Sequence, residues 1–220
     1  GNAVAGVEVV FAVATTPSSA TGQSLSVLTD TTDASGVASS LLTLGNKVGT
    51  YTVTATSGSL SGSPVTFTAT ATNSAATTIA LTSGNGQTDT VSTSLTDPFV
   101  VTVTDAGGNP VEGVQVVFAV ATTPSSATGQ SLSVLTDTTD ASGVASSVLT
   151  LGNKVGTYTV TATSGSLSGS PVTFTATAIN SAATTIALTS GNSQTDTVST
   201  TLTDPFVVTV TDAGGNPVAG

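Results

Sequence analysis

The chain has 220 residues, only 6% of them charged, with twelve carboxylates against two Lys+Arg and a formal net charge of −10. It contains no Cys, His, Met or Trp, so thiol, imidazole and thioether chemistry are excluded and a reactive site would have to be made from Asp, Ser and Thr. Nothing basic is available to neutralise phosphates, which argues against nucleic acid or anionic lipid as partners, and no apolar run is long enough to predict a membrane span or a signal peptide in this segment.

A repeat governs everything else. "TYTVTATSGSLSGSPVTFTATA" begins at Thr50 and again at Thr157, and Lys47, Tyr51 and Pro98 recur 107 residues on as Lys154, Tyr158 and Pro205. Residues 1–107 and 108–214 differ at seven positions: Ala3/Pro110, Ala5/Glu112, Glu8/Gln115, Leu41/Val148, Thr72/Ile179, Gly86/Ser193 and Ser94/Thr201. This period is too long for a solenoid turn and matches one independently folding bead.

Taken in chain order, one period predicts seven strands, near 77–82, 98–104, 114–121, 131–136, 144–151, 157–163 and 171–178. In "GVQVVFAV", Val114, Val116, Phe118 and Val120 share one face. In "TYTVTATS", Tyr158, Val160 and Ala162 alternate with threonines. The intervening "DAGGNP", "TTPSSATG", "DTTDASG", "GNKVG" and "SGSLSG" are rich in turn formers, and no helical stripe is present. Seven short alternating strands predict an all-β, antiparallel sandwich. Phe99, Phe118, Tyr158 and Phe174 all fall on inward phases. Ser and Thr fill 39 of residues 1–107, because threonine suits an extended backbone while its hydroxyl stays wet.

The run "VTVTDAGGNPVEGVQVVF", followed by "TDASGVASSVLTLGNKVGTYTVTATSG", resembles the bacterial immunoglobulin-like repeats of the invasin and intimin type. The resemblance implies tandem immunoglobulin-like sandwiches acting as a stalk or spacer in an extracellular or cell-surface adhesin. Recognition of the distal target, which the resemblance leaves unknown, would then sit in another domain. It also agrees with reading Tyr158, and its copy Tyr51, as tyrosine corners, with Val160 where antibody domains carry a cysteine. Tyr51, Tyr158, Phe118, Phe174 and Val160 are the expected structural residues.

The repeat divides the chain into a partial bead at 1–72 starting at the third strand, a complete bead at 73–179, and the first two strands of another at 180–220. A slice of a long array is the favoured reading. The alternative is a filament subunit, in which the carboxyl-terminal strands of one chain complete the amino-terminal partial bead of the next. The expected partners are neighbouring repeats of the same or adjacent chains.

Other candidate sites are weaker. Asp105 and Asn109 in "DAGGNP", with Asp137 and Asp140 in "DTTDASG", are oxygen donors that could hold calcium, but neither loop has calcium-loop spacing and such residues open turns by bonding their own backbone. Turn formation and no cofactor are therefore expected. Lys154 could in principle cross-link to an Asn, yet "GNKVG" predicts an exposed turn. The threonine ranks could bind a regular carbohydrate or ice surface, but β-propensity already accounts for them and sheet twist spoils such matching. Carboxylates confined to turns offer no catalytic constellation, so a non-enzyme is expected.

Overall fold

The computed structural model describes residues 1–219. Its strands are β1 Glu8–Thr15, β2 Ser24–Leu25, β3 Thr29–Thr31, β4 Leu42–Thr43, β5 Gly49–Thr56, β6 Val65–Ala71, β7 Ala76–Ser83, β8 Gln87–Thr90 and β9 Phe99–Asp105. They continue as β10 Gln115–Thr122, β11 Ser131–Leu132, β12 Thr136–Thr138, β13 Val144–Ser147, β14 Leu149–Thr150, β15 Gly156–Thr163, β16 Val172–Ile179, β17 Ala183–Ser190 and β18 Val207–Asp212. No helix forms among the described residues, and the fold is all-β.

Two compact units are present. The first comprises Gly1–Thr78 with Thr104–Val111, and the second Ile79–Val103 with Glu112–Gly220. The first holds a sheet ordered β3-β1-β5-β6 and the small pair β2-β4.

The second unit contains most of residues 73–179, the stretch expected to form one bead. Sheets run β12-β10-β15-β16-β8 and β13-β9-β7, and β11 and β14 form a short pair. The alternation read from sequence sets which face is buried: Val116, Phe118, Tyr158, Val160 and Phe174 are all at most 1% exposed, while Gln115 and Ala119 point outward. Phe99 stacks on Phe174 with ring centroids 4.7 Å apart, so the aromatic pair joins β9 to β16 across the core. On the wet side, Thr157, Thr159 and Thr161 of β15 stand opposite Thr177, Thr175 and Thr173 of β16. The Thr122 and Thr159 hydroxyls are 2.7 Å apart, which gives each exposed threonine a cross-strand neighbour of its own kind.

The structure departs from the expected strands in three places. The predicted strand 131–136 is two, β11 and β12, and 144–151 is also two, β13 and β14, because each pair changes sheet partway. Serine hydroxyls bridge the break: Val148 N–H donates to Ser133 Oγ at 2.9 Å and Ser147 Oγ donates to the Val134 carbonyl at 2.8 Å, replacing ladder bonds at the crossover. An eighth segment, β8, pairs parallel with β16, with Ala176 opposite Gln87 and Ile179 opposite Thr90. Its polar "QTDT" shows no alternation of apolar residues, so periodicity gives no sign of it.

Phe118 and Tyr158 differ in what their loss should do. Tyr158 is 0% exposed and its hydroxyl donates to the Lys154 carbonyl at 2.8 Å, four residues upstream; Tyr51 bonds Lys47 in the same way. Tyr158→Phe keeps the ring and removes one buried hydroxyl bond, so a loss of about 1 to 2 kcal/mol is expected in denaturant unfolding, with the fold retained.

Candidate functional site: a repeated carboxylate clamp

The loop "DAGGNP" opens on Asp105, which is 4% exposed, and every oxygen contact of its carboxylate is to a donor from the surrounding chain. Oδ1 accepts from the N–H groups of Gly107 and Asn109 at 2.9 and 2.8 Å, and Oδ2 from Ser74 N–H at 3.1 Å. The Asn109 amide donates to both oxygens at 2.9 Å. Asn109 is itself buried, and it turns outward with its remaining capacity: Nδ2 donates to the Asn46 carbonyl at 2.9 Å, and Oδ1 accepts from Val48 N–H at 3.2 Å. Lys47 Nζ closes the arrangement by donating to the Gly107 carbonyl at 2.6 Å.

Three stretches of sequence meet here, all within the first unit. They are the turn "GNKVG", the link around Ser74, and the loop "DAGGNP". Asn73 Nδ2 adds a bond to the Pro110 carbonyl at 2.8 Å, so the link is held by side chain and main chain. Close approach explains Gly107. A Cβ on Gly107 would come within 2.1 Å of the Asn46 carbonyl oxygen, a separation no side chain tolerates.

The second unit repeats the clamp on its own residues. Asp212 accepts from Gly214, Asn216 and Ser181, Asn216 bonds Asn153 and Val155, and Lys154 Nζ donates to the Gly214 carbonyl at 2.6 Å. Tyr158 connects this clamp to the core, since its hydroxyl holds the carbonyl of the same Lys154. Lys154, expected to stand exposed in its turn, is half-buried because its ammonium has a carbonyl to serve.

Burial pushes the Asp105 carboxyl up, but the hydrogen bonds from Asn109, Ser74 and Gly107 favour the charged form more strongly and hold it at about 2, below its ordinary 3.8. Asp212 is lowered for the same reasons. The other two expected oxygen donors lie in a different loop. Asp137 accepts from Thr138 and Ser146 N–H, and Asp140 from Ser142 and Val144 N–H. The four calcium candidates are thus split into two loops. No group of three or more carboxylates suited to a metal is present among the described residues.

Sequence reasoning picked out Asp105 and Asn109 as turn formers but missed their link to Lys47, whose sequence separation of about sixty residues leaves no local signal. Recurrence of Asp, Asn and Lys at the same spacing in both copies is the one clue available.

No protein-family model and no curated protein matches the sequence. Among solved structures, the Escherichia coli adhesin FdeC aligns over 100% of this chain and 67% of its own, with 22% identity and a TM-score of 0.60. The Yersinia pseudotuberculosis protein InvD aligns over 99% of this chain and 63% of its own, at 18% identity and a TM-score of 0.49. The D0-D1 domain of intimin aligns over 80% and 81%, at 24% identity and a TM-score of 0.31. The fold shared with FdeC is the immunoglobulin-like β-sandwich of bacterial adhesin domains.

Proposed function

We propose that the chain is a run of spacer repeats from a bacterial cell-surface protein of the adhesin type, non-enzymatic and free of cofactors, whose working feature is the stiffness of its repeat junctions. The observation that carries this reading is the clamp: in sequence terms the turn "GNKVG" lies inside one repeat, "NSA" links that repeat to the next, and "DAGGNP" belongs to the next repeat, yet the link bonds one buried carboxylate directly and the turn reaches it through Asn109. A link held in this way is no free hinge. Near-identity of the copies supports the same reading, because a spacer needs interchangeable beads whereas a binding module needs one distinctive loop. The carboxylates of Asp105, Asp137 and Asp140 accept from main-chain donors, and Asp105 from the Asn109 amide as well, which supports turn and junction building over calcium binding. The shared fold with an adhesin supports a place outside the cell.

Strands of seven or eight residues at ~3.3 Å each, with loops at both ends, suggest about 35 to 45 Å of length per repeat. Small-angle scattering from a chain of four tandem repeats should therefore give a rod that lengthens by this increment with each repeat added. A radius of gyration typical of a compact globule of the same mass would refute the reading.

A further inference from the structure

One asparagine of the nine in the chain is followed by glycine, Asn85 in "SGNGQ", and the turn that carries it is exposed to water. Such a pair has a chemistry of its own. The main-chain nitrogen after an asparagine can attack the side-chain carbonyl carbon, and a side chain on that next residue crowds the approach, so glycine is the neighbour that hinders it least. The other asparagines precede Ala, Lys, Ser or Pro, and proline has no N–H to give up.

In the folded chain both reacting groups are held on one residue of β16. Asn85 Oδ1 accepts from the Thr175 N–H at 2.8 Å and from the Thr175 hydroxyl at 3.2 Å, while the Gly86 N–H donates to the Thr175 carbonyl at 2.9 Å. These bonds begin the parallel pairing of β8 with β16, which continues with Gln87 opposite Ala176. Gly86 has a φ of 75°, yet a Cβ there would meet nothing within 4 Å, and the second copy places Ser193 at the same turn position with a φ of 62°. Packing therefore leaves the choice between a reactive neighbour and a slower one open.

We propose that Asn85–Gly86 is a self-modification site whose reaction is gated by the pairing of β8 with β16. When the start of β8 lifts from Thr175, the Gly86 nitrogen bonds to Asn85 Cγ and gives up its proton, the Cγ–Nδ2 bond breaks, and Nδ2 leaves with that proton as ammonia. Water then adds to one of the two carbonyl carbons of the resulting five-membered ring, which opens to aspartate or to isoaspartate. Water is the only co-reactant. While the pairing is closed, the nitrogen is turned to the Thr175 carbonyl and Cγ is pinned through its oxygen, so the observed rate is that of the open form scaled by its population. The two products differ in consequence. Aspartate keeps an oxygen for the Thr175 N–H, whereas isoaspartate lengthens the main chain by one carbon just ahead of β8 and spoils its register on β16. A passing separation at this edge strand is thereby made permanent. The site goes beyond the spacer reading and does not depend on it.

Incubating the 220-residue chain at mildly alkaline pH, with and without guanidinium chloride, tests the proposal. Trypsin cuts after Lys47 and Lys154, the two basic residues, so Asn85 leaves on the peptide 48–154, where mass spectrometry with electron-transfer fragmentation locates the new acid and separates the two products. In the unfolded chain Asn85 should outpace Asn73 of the same peptide by about tenfold or more, and Gly86→Ser should remove most of that lead. Folding should slow the reaction at Asn85 by more than about thirtyfold. The Gln87 amide ties the start of β8 to the Gly84 and Asp97 carbonyls at 2.6 and 2.9 Å, so Gln87→Ala should raise the folded rate severalfold and leave the unfolded rate unchanged. Equal rates in the folded and unfolded chain overturn the gate, as does a Gln87→Ala chain that reacts no faster than the parent when folded or gains by the same factor when unfolded. An unfolded chain in which Asn85 only keeps pace with Asn73 overturns the site itself. The spacer reading stands or falls apart from these outcomes, since it is judged on scattering from covalently joined repeats.

Discussion

Phe118→Ala is expected to destabilise the complete bead by about 3 to 5 kcal/mol, the largest effect of any single truncation considered. Phe118 is 1% exposed, at the centre of β10, and pairs across the sheet with Ala162 of β15, which is fully buried as well. Removing the ring leaves a cavity that strands fixed on both sides cannot collapse to fill. Val117, one residue earlier on the same strand, is 42% exposed, and its change to alanine should cost no more than about 0.5 kcal/mol. Hydrogen exchange followed on peptides from β10 can measure the difference, since Glu112 and Gln115 give this segment a mass distinct from residues 5–8 of the first copy. If Val117→Ala proved the more damaging change, the inward face of β10 would have been assigned to the wrong alternation.

Asp105→Ala should cost about 2 to 4 kcal/mol in the first unit, because it leaves the N–H groups of Gly107, Asn109 and Ser74 and the Asn109 amide without their shared acceptor in a buried place. The charge makes the effect depend on pH. With a folded value of about 2 against an ordinary 3.8, the folded state holds its carboxylate unprotonated where the unfolded chain binds a proton. The stabilisation is therefore fully present above about pH 4 and is lost as pH falls through about 2. Denaturant unfolding between neutral pH and about pH 2 should show the parent losing stability over that window, and Asp105→Ala losing less. An acid profile unchanged by the substitution would mean that the clamp carboxylate does not titrate with folding.

These two residues also mark the limits of what could be read before folding. Phe118 was legible because a strand alternates with period two: its inward phase follows from Val116 and Val120 on either side, whatever the strand packs against. The same local rule gave Tyr158, Val160 and Phe174 their buried places. Asp105 was legible only as a turn former. That it receives the neighbouring link and, through Asn109 and Lys47, a turn some sixty residues away depends on which loops the sandwich brings to one end, and no local periodicity carries that information. The sheet switches at Ser133 and Ser147 were hidden for a related reason, since a serine hydroxyl replaces a ladder bond only once the opposing strand is in place. Sequence alone determined the strands' faces and the repeat, which are properties of neighbouring residues. Tertiary structure alone decided which distant turn and link meet at Asp105, because such a meeting belongs to a residue's surroundings and not to its identity.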